Sequence, residues 1–296
     1  MGRIEDALRR SREAGTDSPA AVDDIGTLAR EPFPTEGGEA APPQPGATAT
    51  ATTPAPDAQA HLTEHLHHTL TGKVVTEKDI VPASREQYRR LAATLLHGQE
   101  ESGLKVIMVT SAAVGEGKTL TTSNLALTFS ESYKRNVLLI DADLRRPSVN
   151  RIFGTEGKSG LSEALVARTD TRLPWVKVSP HLTILPAGQP SQDPMAGLSS
   201  QRMRRIIAEA RELFDWVIVD TPPVGLLSDA SLVGAMADGI VLVVRAGVTH
   251  YDLVQRAANA VGRDRVLGVV LNSVEAERSP AYYSYRHYYG TSRTTS

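Results

Sequence analysis

A doubly wound α/β fold around a mostly parallel sheet is predicted by two features of this 296-residue sequence. Short β-branched runs, apolar on both faces, alternate with longer amphipathic helical patterns from about residue 79 to 275, and one of these runs leads through a glycine-containing loop into a helix. Strands buried on both faces lose the polar alternation of a half-exposed sheet. The predicted strands are 105–110 (KVIMVT), 136–140 (NVLLI), 181–186 (HLTILP), 216–219 (WVIV), 239–244 (GIVLVV) and 266–271 (VLGVVL). Predicted helices span 118–133, 161–166, 200–213 and 251–261, with a further one before the first strand. In 200–213, Met203, Ile206, Ile207, Ala210 and Leu213 form one apolar stripe that fits against a sheet. Alternating strands and helices place ligands beyond the carboxyl ends of the strands.

Composition bounds the rest. The 32 Lys and Arg against 34 Asp and Glu leave a formal charge of −2, so no bulk positive charge points to nucleic acid. The absence of cysteine excludes disulfides, thiolate metal sites and cysteine nucleophiles. No run approaches the ~18–20 apolar residues of a membrane helix, and the charged first ten residues lack the apolar core of a signal peptide. A cytoplasmic chain is expected. Eight of the 18 prolines fall in the first 60 residues, and 39–60 is almost all Ala, Pro, Thr, Gly and Gln. We therefore expect a short amphipathic helix at 1–13, a disordered linker at 14–71, the folded domain at 79–275 and a tail at 276–296. His61, His65, His67 and His68 cluster in the linker, where they read as a polar tract rather than a metal site.

The first strand runs into SAAVGEGKT (111–119). Strand, glycine loop, Lys-Thr and helix together make a P-loop, and the fold becomes the P-loop NTPase type. Gly115 and Gly117 let backbone N–H groups turn toward phosphate oxygens, and the helix start adds its partial positive charge. Lys118 is placed to reach the β- and γ-phosphates and Thr119 to ligate Mg²⁺. The nucleotide-contacting stretch is then Gly115, Glu116, Gly117, Lys118, Thr119 and Leu120. Ala112 stands where the usual motif has its first glycine, which requires a backbone without positive φ there.

The second strand ends in DADLRRP (141–147) and the fourth in VIVDTPPV (217–224). Asp141 and Asp143, two apart, leave a strand on the same side, and Asp220 closes another. Three such carboxylates repel one another unless a cation sits among them, which points to Mg²⁺. This is a nucleotide site.

Five of the eight tyrosines occupy 282–289 (YYSYRHYY). The order SAAVGEGKT, VLLIDADLRRP, VIVDTPPV and a tyrosine-dense end resembles the bacterial tyrosine kinases, the cytoplasmic autokinases of exopolysaccharide and capsule export. The opening RIEDAL (3–8) looks like the exosortase-associated branch of that family. The resemblance implies an ATP- and Mg²⁺-dependent protein-tyrosine kinase in which Lys118, Asp141, Asp143 and Arg145 are catalytic. By the same resemblance Asp141 faces the proton of the attacking phenol, and Thr119, Asp143 and Asp220 hold the metal. Asn272, closing the sixth predicted strand, matches a position that contacts adenine, although a plain strand-closing turn residue is the rival reading. The implied phosphate acceptors are Tyr282, Tyr283, Tyr285, Tyr288 and Tyr289. At about −1.5 to −2 charges each, their modification would take residues 275–296, of formal charge +1, to roughly −6.5 to −9.

The family picture adds a homo-oligomeric ring that dissociates on phosphorylation, a membrane-integral polysaccharide co-polymerase or chain-length regulator as activator, and an opposing tyrosine phosphatase. It places the kinase at the inner membrane through that partner. The family's E-x-x-R-x-x-R helix motif keeps Glu86 and Arg89 here but has Ala92 third. The alternative is a ParA/MinD-like ATPase switch without kinase activity. Against it stand Ala112, Ala113 and Val114, where that class places an early lysine, and the tyrosines that end the chain.

Overall fold

The computed structural model describes residues 73–76, 80–155, 157–167, 173–224 and 229–274. The expectations for the N-terminal helix, the linker with its histidines, and the tyrosine tail lie outside these residues.

Helix α1 (Pro82–Ser102) opens with Pro in its first turn, where no N–H is missed, and closes on Gly103 at φ 70°. Strand β1 (Val106–Ser111) leads to α2 (Lys118–Leu127), which ends in one wide turn at Thr128–Ser132. Then follow β2 (Val137–Asp141), α3 (Val149–Phe153), α4 (Leu161–Val166), β3 (Val176–Ser179), β4 (Leu182–Leu185), α5 (Pro194–Leu198) and α6 (Gln201–Leu213). The last group is β5 (Trp216–Asp220), α7 (Asp229–Gly234), β6 (Gly239–Arg245), α8 (Tyr251–Val261) and β7 (Val266–Asn272).

The sheet order is β3-β4-β2-β5-β1-β6-β7. Every neighbouring pair is parallel except β3–β4. The six expected strands are all present. The seventh, β3, escaped the sequence pattern because it is a four-residue edge strand with an exposed Lys177 at its centre and no continuous apolar signal. Three short helices, α3, α5 and α7, are also additions, and the regular α-helix expected over 118–133 stops at Leu127.

Alternate side chains of the central strands feed two layers. Ile107, Val109, Val137, Leu139, Trp216 and Ile218 face α1, α2 and α3, with Trp216 stacked on Phe129 at 4.6 Å between ring centroids. Val106, Met108, Leu138, Ile140, Val217 and Val219 face α4, α5, α6 and α7. This double burial is the physical meaning of the apolar runs. Ala92, third position of the helix motif, is itself fully buried on the inner face of α1, while Glu86 and Arg90 form an exposed pair at 3.6 Å. The packed region reaches back to residue 73. Val74 and Val75 are buried, and Asn124 of α2 accepts from the Val75 N–H and donates to the Lys73 carbonyl, each at 2.9 Å.

This architecture gathers the ends of β1, β2, β5 and β6 at one edge. Asp141 and Asp220 are register partners across β2 and β5, and Val109 of β1 is a partner of Asp220.

Candidate active site

The loop from Ser111 to Lys118 takes its shape from two glycines, Gly115 at φ 81° and Gly117 at φ 88°. Both lie in the left-handed region that side chains disfavour. Ala112 is not among the described residues with positive φ and packs instead with Leu242, Val244 and Ala257, so alanine meets the backbone requirement at that position. Beyond Gly117 the first turn of α2 presents Lys118 and Thr119 to a cleft of about 530 Å³. Gly115, Gly117, Leu120, Asp143, Arg145, Arg146, Ser148 and Pro222 also line it.

Lys118 lies between two of the three expected aspartates. Its ammonium is 3.0 Å from Asp143 and 3.8 Å from Asp220. Burial works against its charge, but Asp220 and Asp143 more than offset that and hold its pKa above the ordinary lysine value. Asp220, fully buried, accepts the Thr119 hydroxyl at 2.7 Å and the Thr122 hydroxyl at 3.2 Å. Burial raises its pKa, with Lys118 and the two hydroxyls opposing the rise. Asp141 is also fully buried. One of its oxygens accepts the Asp143 N–H and the other the N–H groups of Ser148 and Val149, all at 3.1 Å. Desolvation, followed by repulsion from Asp220, pushes its pKa up to about 7. Asp143, not Asp141, is the carboxylate that lines the cleft.

The cation that balances these carboxylates in the structure is thus a lysine, which sequence spacing alone did not reveal. Among the described residues no group of three His, Cys, Asp or Glu forms a ready-made metal cage. The donors expected of a P-loop magnesium site are nevertheless adjacent. The Thr119 hydroxyl touches Asp220, and Asp143 stands across Lys118 from it. Hard oxygen donors with room for water and phosphate oxygens suit Mg²⁺, which rarely takes an all-protein cage.

The comparisons agree with this fold. A ParA family model, described as the NUBPL iron-transfer P-loop NTPase, matches residues 104–286. The tyrosine-protein kinase YwqD of Bacillus subtilis (strain 168) is 36% identical over 209 residues, covering 70% of this chain and 86% of that protein. The chain belongs to the bacterial tyrosine-protein kinases. Within that family, the tyrosine-protein kinase CpsD of Streptococcus agalactiae is 32% identical over 188 residues, covering 62% of this kinase and 81% of the relative. Among solved structures, the kinase domain of the Escherichia coli tyrosine kinase ETK superposes with a TM-score of 0.61 at 31% identity, covering 67% of this kinase and 78% of that chain. The Pyrococcus furiosus cell division ATPase MinD, at 20% identity over 60% of this kinase and 74% of its own chain (TM-score 0.50), shares the fold alone. The chain is therefore a nucleotide-binding P-loop protein with protein-tyrosine kinase activity, and nothing favours the ATPase-switch alternative over it. Among the described residues no helix is long and apolar enough to cross a membrane.

The kinase brings Gly115, Gly117, Lys118, Thr119, Leu120, Asp143 and Arg145 together at the cleft, with Asp141 and Asp220 directly behind. Two expected nucleotide contacts take other partners. The Glu116 side chain, 2% exposed, turns back to accept the Ala113 N–H at 2.7 Å. Asn272 donates its amide to the Glu116 carbonyl at 2.8 Å, and neither residue lines the cleft. Four further residues matter that the sequence reading missed. Asp229, buried at the start of α7, holds Arg145 in a two-pronged pair at 2.7 and 3.3 Å, the main reason the arginine's pKa is raised. Ser148 donates to the Thr119 hydroxyl at 3.0 Å, Thr122 supports Asp220, and Thr249 bonds Glu116. Only Thr122 left a local signal, three residues after Thr119 on the same helix face. The others come from distant segments.

Proposed function

We propose that this kinase transfers the γ-phosphoryl of ATP to its own C-terminal tyrosines, Tyr282, Tyr283, Tyr285, Tyr288 and Tyr289, and in doing so regulates exopolysaccharide export. The observation that carries the assignment of roles is Lys118, pinned between Asp143 and Asp220 at the mouth of a glycine-shaped loop.

Inward N–H groups around Gly115 and Gly117 would cradle the phosphates, and Lys118 would move from its carboxylates onto the β- and γ-oxygens. Thr119, Asp143 and Asp220 are the residues that would hold Mg²⁺, whose chemistry is to neutralise charge on the phosphate oxygens. Arg145, fixed by Asp229, adds a guanidinium on the same wall of the cleft. A tail phenol oxygen attacks the γ-phosphorus in line. The bond to the ADP oxygen breaks and ADP leaves. The phenolic proton passes to the Asp141–Asp143 pair, of which Asp143 lines the cleft and Asp141 lies directly behind it, accepting the Asp143 N–H. The 22 residues after Val274 supply the acceptors. Ten residues from Asn272 to Tyr282 span up to ~33 Å extended, enough for transfer within one chain or to a neighbour.

By resemblance, a membrane-integral polysaccharide co-polymerase activates the kinase and holds it at the inner membrane, a tyrosine phosphatase reverses the modification, and unmodified subunits form a ring. Incubating the full chain with Mg-ATP and the activator's cytoplasmic segment, followed by phosphosite mapping, tests the central reading. Phosphate on the 282–289 tyrosines is expected. Nucleotide hydrolysis with no phosphotyrosine would overturn it in favour of the ATPase switch.

A further inference from the structure

Glu116 is an unusual occupant of a phosphate loop. The residue lies between two positive-φ glycines that line the cleft, yet its side chain is 2% exposed and outside it. One oxygen accepts the Ala113 N–H at 2.7 Å, closing the loop on itself. The other accepts the Thr249 hydroxyl, with the Arg245 N–H at 3.5 Å. Arg245 ends β6, and Thr249 lies in the turn that leads into α8. The backbone of the same residue is held as well, because the Glu116 carbonyl accepts the Asn272 amide at the end of β7. That amide lies so close to Gly117 that a side-chain carbon there would run into it. The phosphate loop is therefore tied by its one acidic residue to the ends of two neighbouring strands.

We propose that Thr249 is a positioning residue for nucleotide binding: its hydroxyl holds the Glu116 carboxylate turned away from the phosphate site and so keeps the loop in its anion-binding shape. Two physical arguments support this. A buried carboxylate that loses a donor is strongly penalised and swings toward water. Both neighbours of Glu116, Gly115 and Gly117, line the cleft, so freeing its side chain would bring a negative charge close to the phosphates. The loop would also lose the restraint that keeps its N–H groups preorganised, which is what makes such donors effective. The contact spans 133 positions in sequence, and for that reason no local motif announces it.

The inference rests on the nucleotide site proposed above, and its test does not depend on kinase activity. ADP binding to the full chain is measured by calorimetry, with and without Mg²⁺, for wild type, T249V, T249S and the double variant T249V/E116Q. T249V is the same shape without the hydroxyl. We expect it to bind ADP about tenfold more weakly, the scale of one charge-assisted hydrogen bond. T249S restores binding, and E116Q recovers part of the loss in the T249V background because the freed side chain no longer carries charge. In phosphorylation assays the defect falls on the KM for ATP rather than on the KM for a tyrosine peptide. Thermal melts check that T249V is folded. If folded T249V binds ADP within twofold of wild type, or T249S is as impaired as T249V, the positioning role is wrong. Intact ADP binding in wild type without tyrosine phosphorylation would instead fault the kinase reading and leave this inference standing.

Discussion

Replacing Lys118 with methionine removes the ammonium while keeping most of its aliphatic length, and its effect on stability can be worked from the geometry. At an effective dielectric constant of ~20, a charge pair at the 3.0 Å separation from Asp143 is worth about 5.5 kcal/mol, and one at the 3.8 Å separation from Asp220 about 4.4 kcal/mol. The cost of burying the lysine cancels much of this sum. Deleting one partner of a buried pair costs about 3–5 kcal/mol overall. Asp220 still has the hydroxyls of Thr119 and Thr122 as donors, which places K118M near the low end, at about 3 kcal/mol. For a domain of this size that lowers Tm by roughly 6–12 °C. The penalty depends on pH. At pH 8 the stranded carboxylates must remain charged or take up a proton at a cost, whereas at pH 5.5 they protonate readily and the deficit shrinks. Paired melts of wild type and K118M in EDTA at both values measure this. An unchanged Tm at pH 8, or an equal deficit at both, would refute the view that Lys118 is the charge that holds this acidic cluster together.

Asp141 makes a prediction of its own. A carboxyl whose pKa is raised on folding, here to about 7 from an unfolded value near 4, binds its proton more tightly in the native state. Stability should therefore fall as pH rises from ~4 to ~7 and level off above, by on the order of 4 kcal/mol for a shift of this size. Urea unfolding in EDTA across pH 5–8 should show that slope, and D141N should flatten it while lowering phosphorylation about 100-fold or more; an identical slope in D141N would refute the assignment. For Asp229, D229N should loosen Arg145 and reduce kcat about tenfold, the scale of one lost charged hydrogen bond, with ADP binding retained; full activity in D229N beside a crippled R145A would show that the pairing is incidental.

Much of the site could be read from the sequence because its residues cluster at the ends of apolar runs. Asp141, Asp143 and Asp220 sit at or just past the end of a buried strand, Lys118 opens the helix that follows the loop after β1, and the parallel sheet brings these points to one edge. The tie between distant ends could not be read in this way. Asp229 reaches Arg145 across 84 positions and Thr249 reaches Glu116 across 133, pairings that only the finished sheet creates. Spacing pointed to Mg²⁺ among the aspartates but not to the lysine that lies between two of them, since the lysine's direction depends on how Gly117 starts the helix. Edge strand β3 was hidden for the opposite reason. Its exposed Lys177 and half-covered neighbours dilute the hydrophobic signal that the central strands display in full.

Asn124 spends both ends of its amide on the backbone of residues 73 and 75, six positions along the helix whose first residue is Lys118. At 1.5 Å per residue the two lie about 9 Å apart on one rigid rod. The stretch arriving from the N-terminal side is thus moored to the back of the very rod whose front tip carries the lysine that faces Asp143 and Asp220.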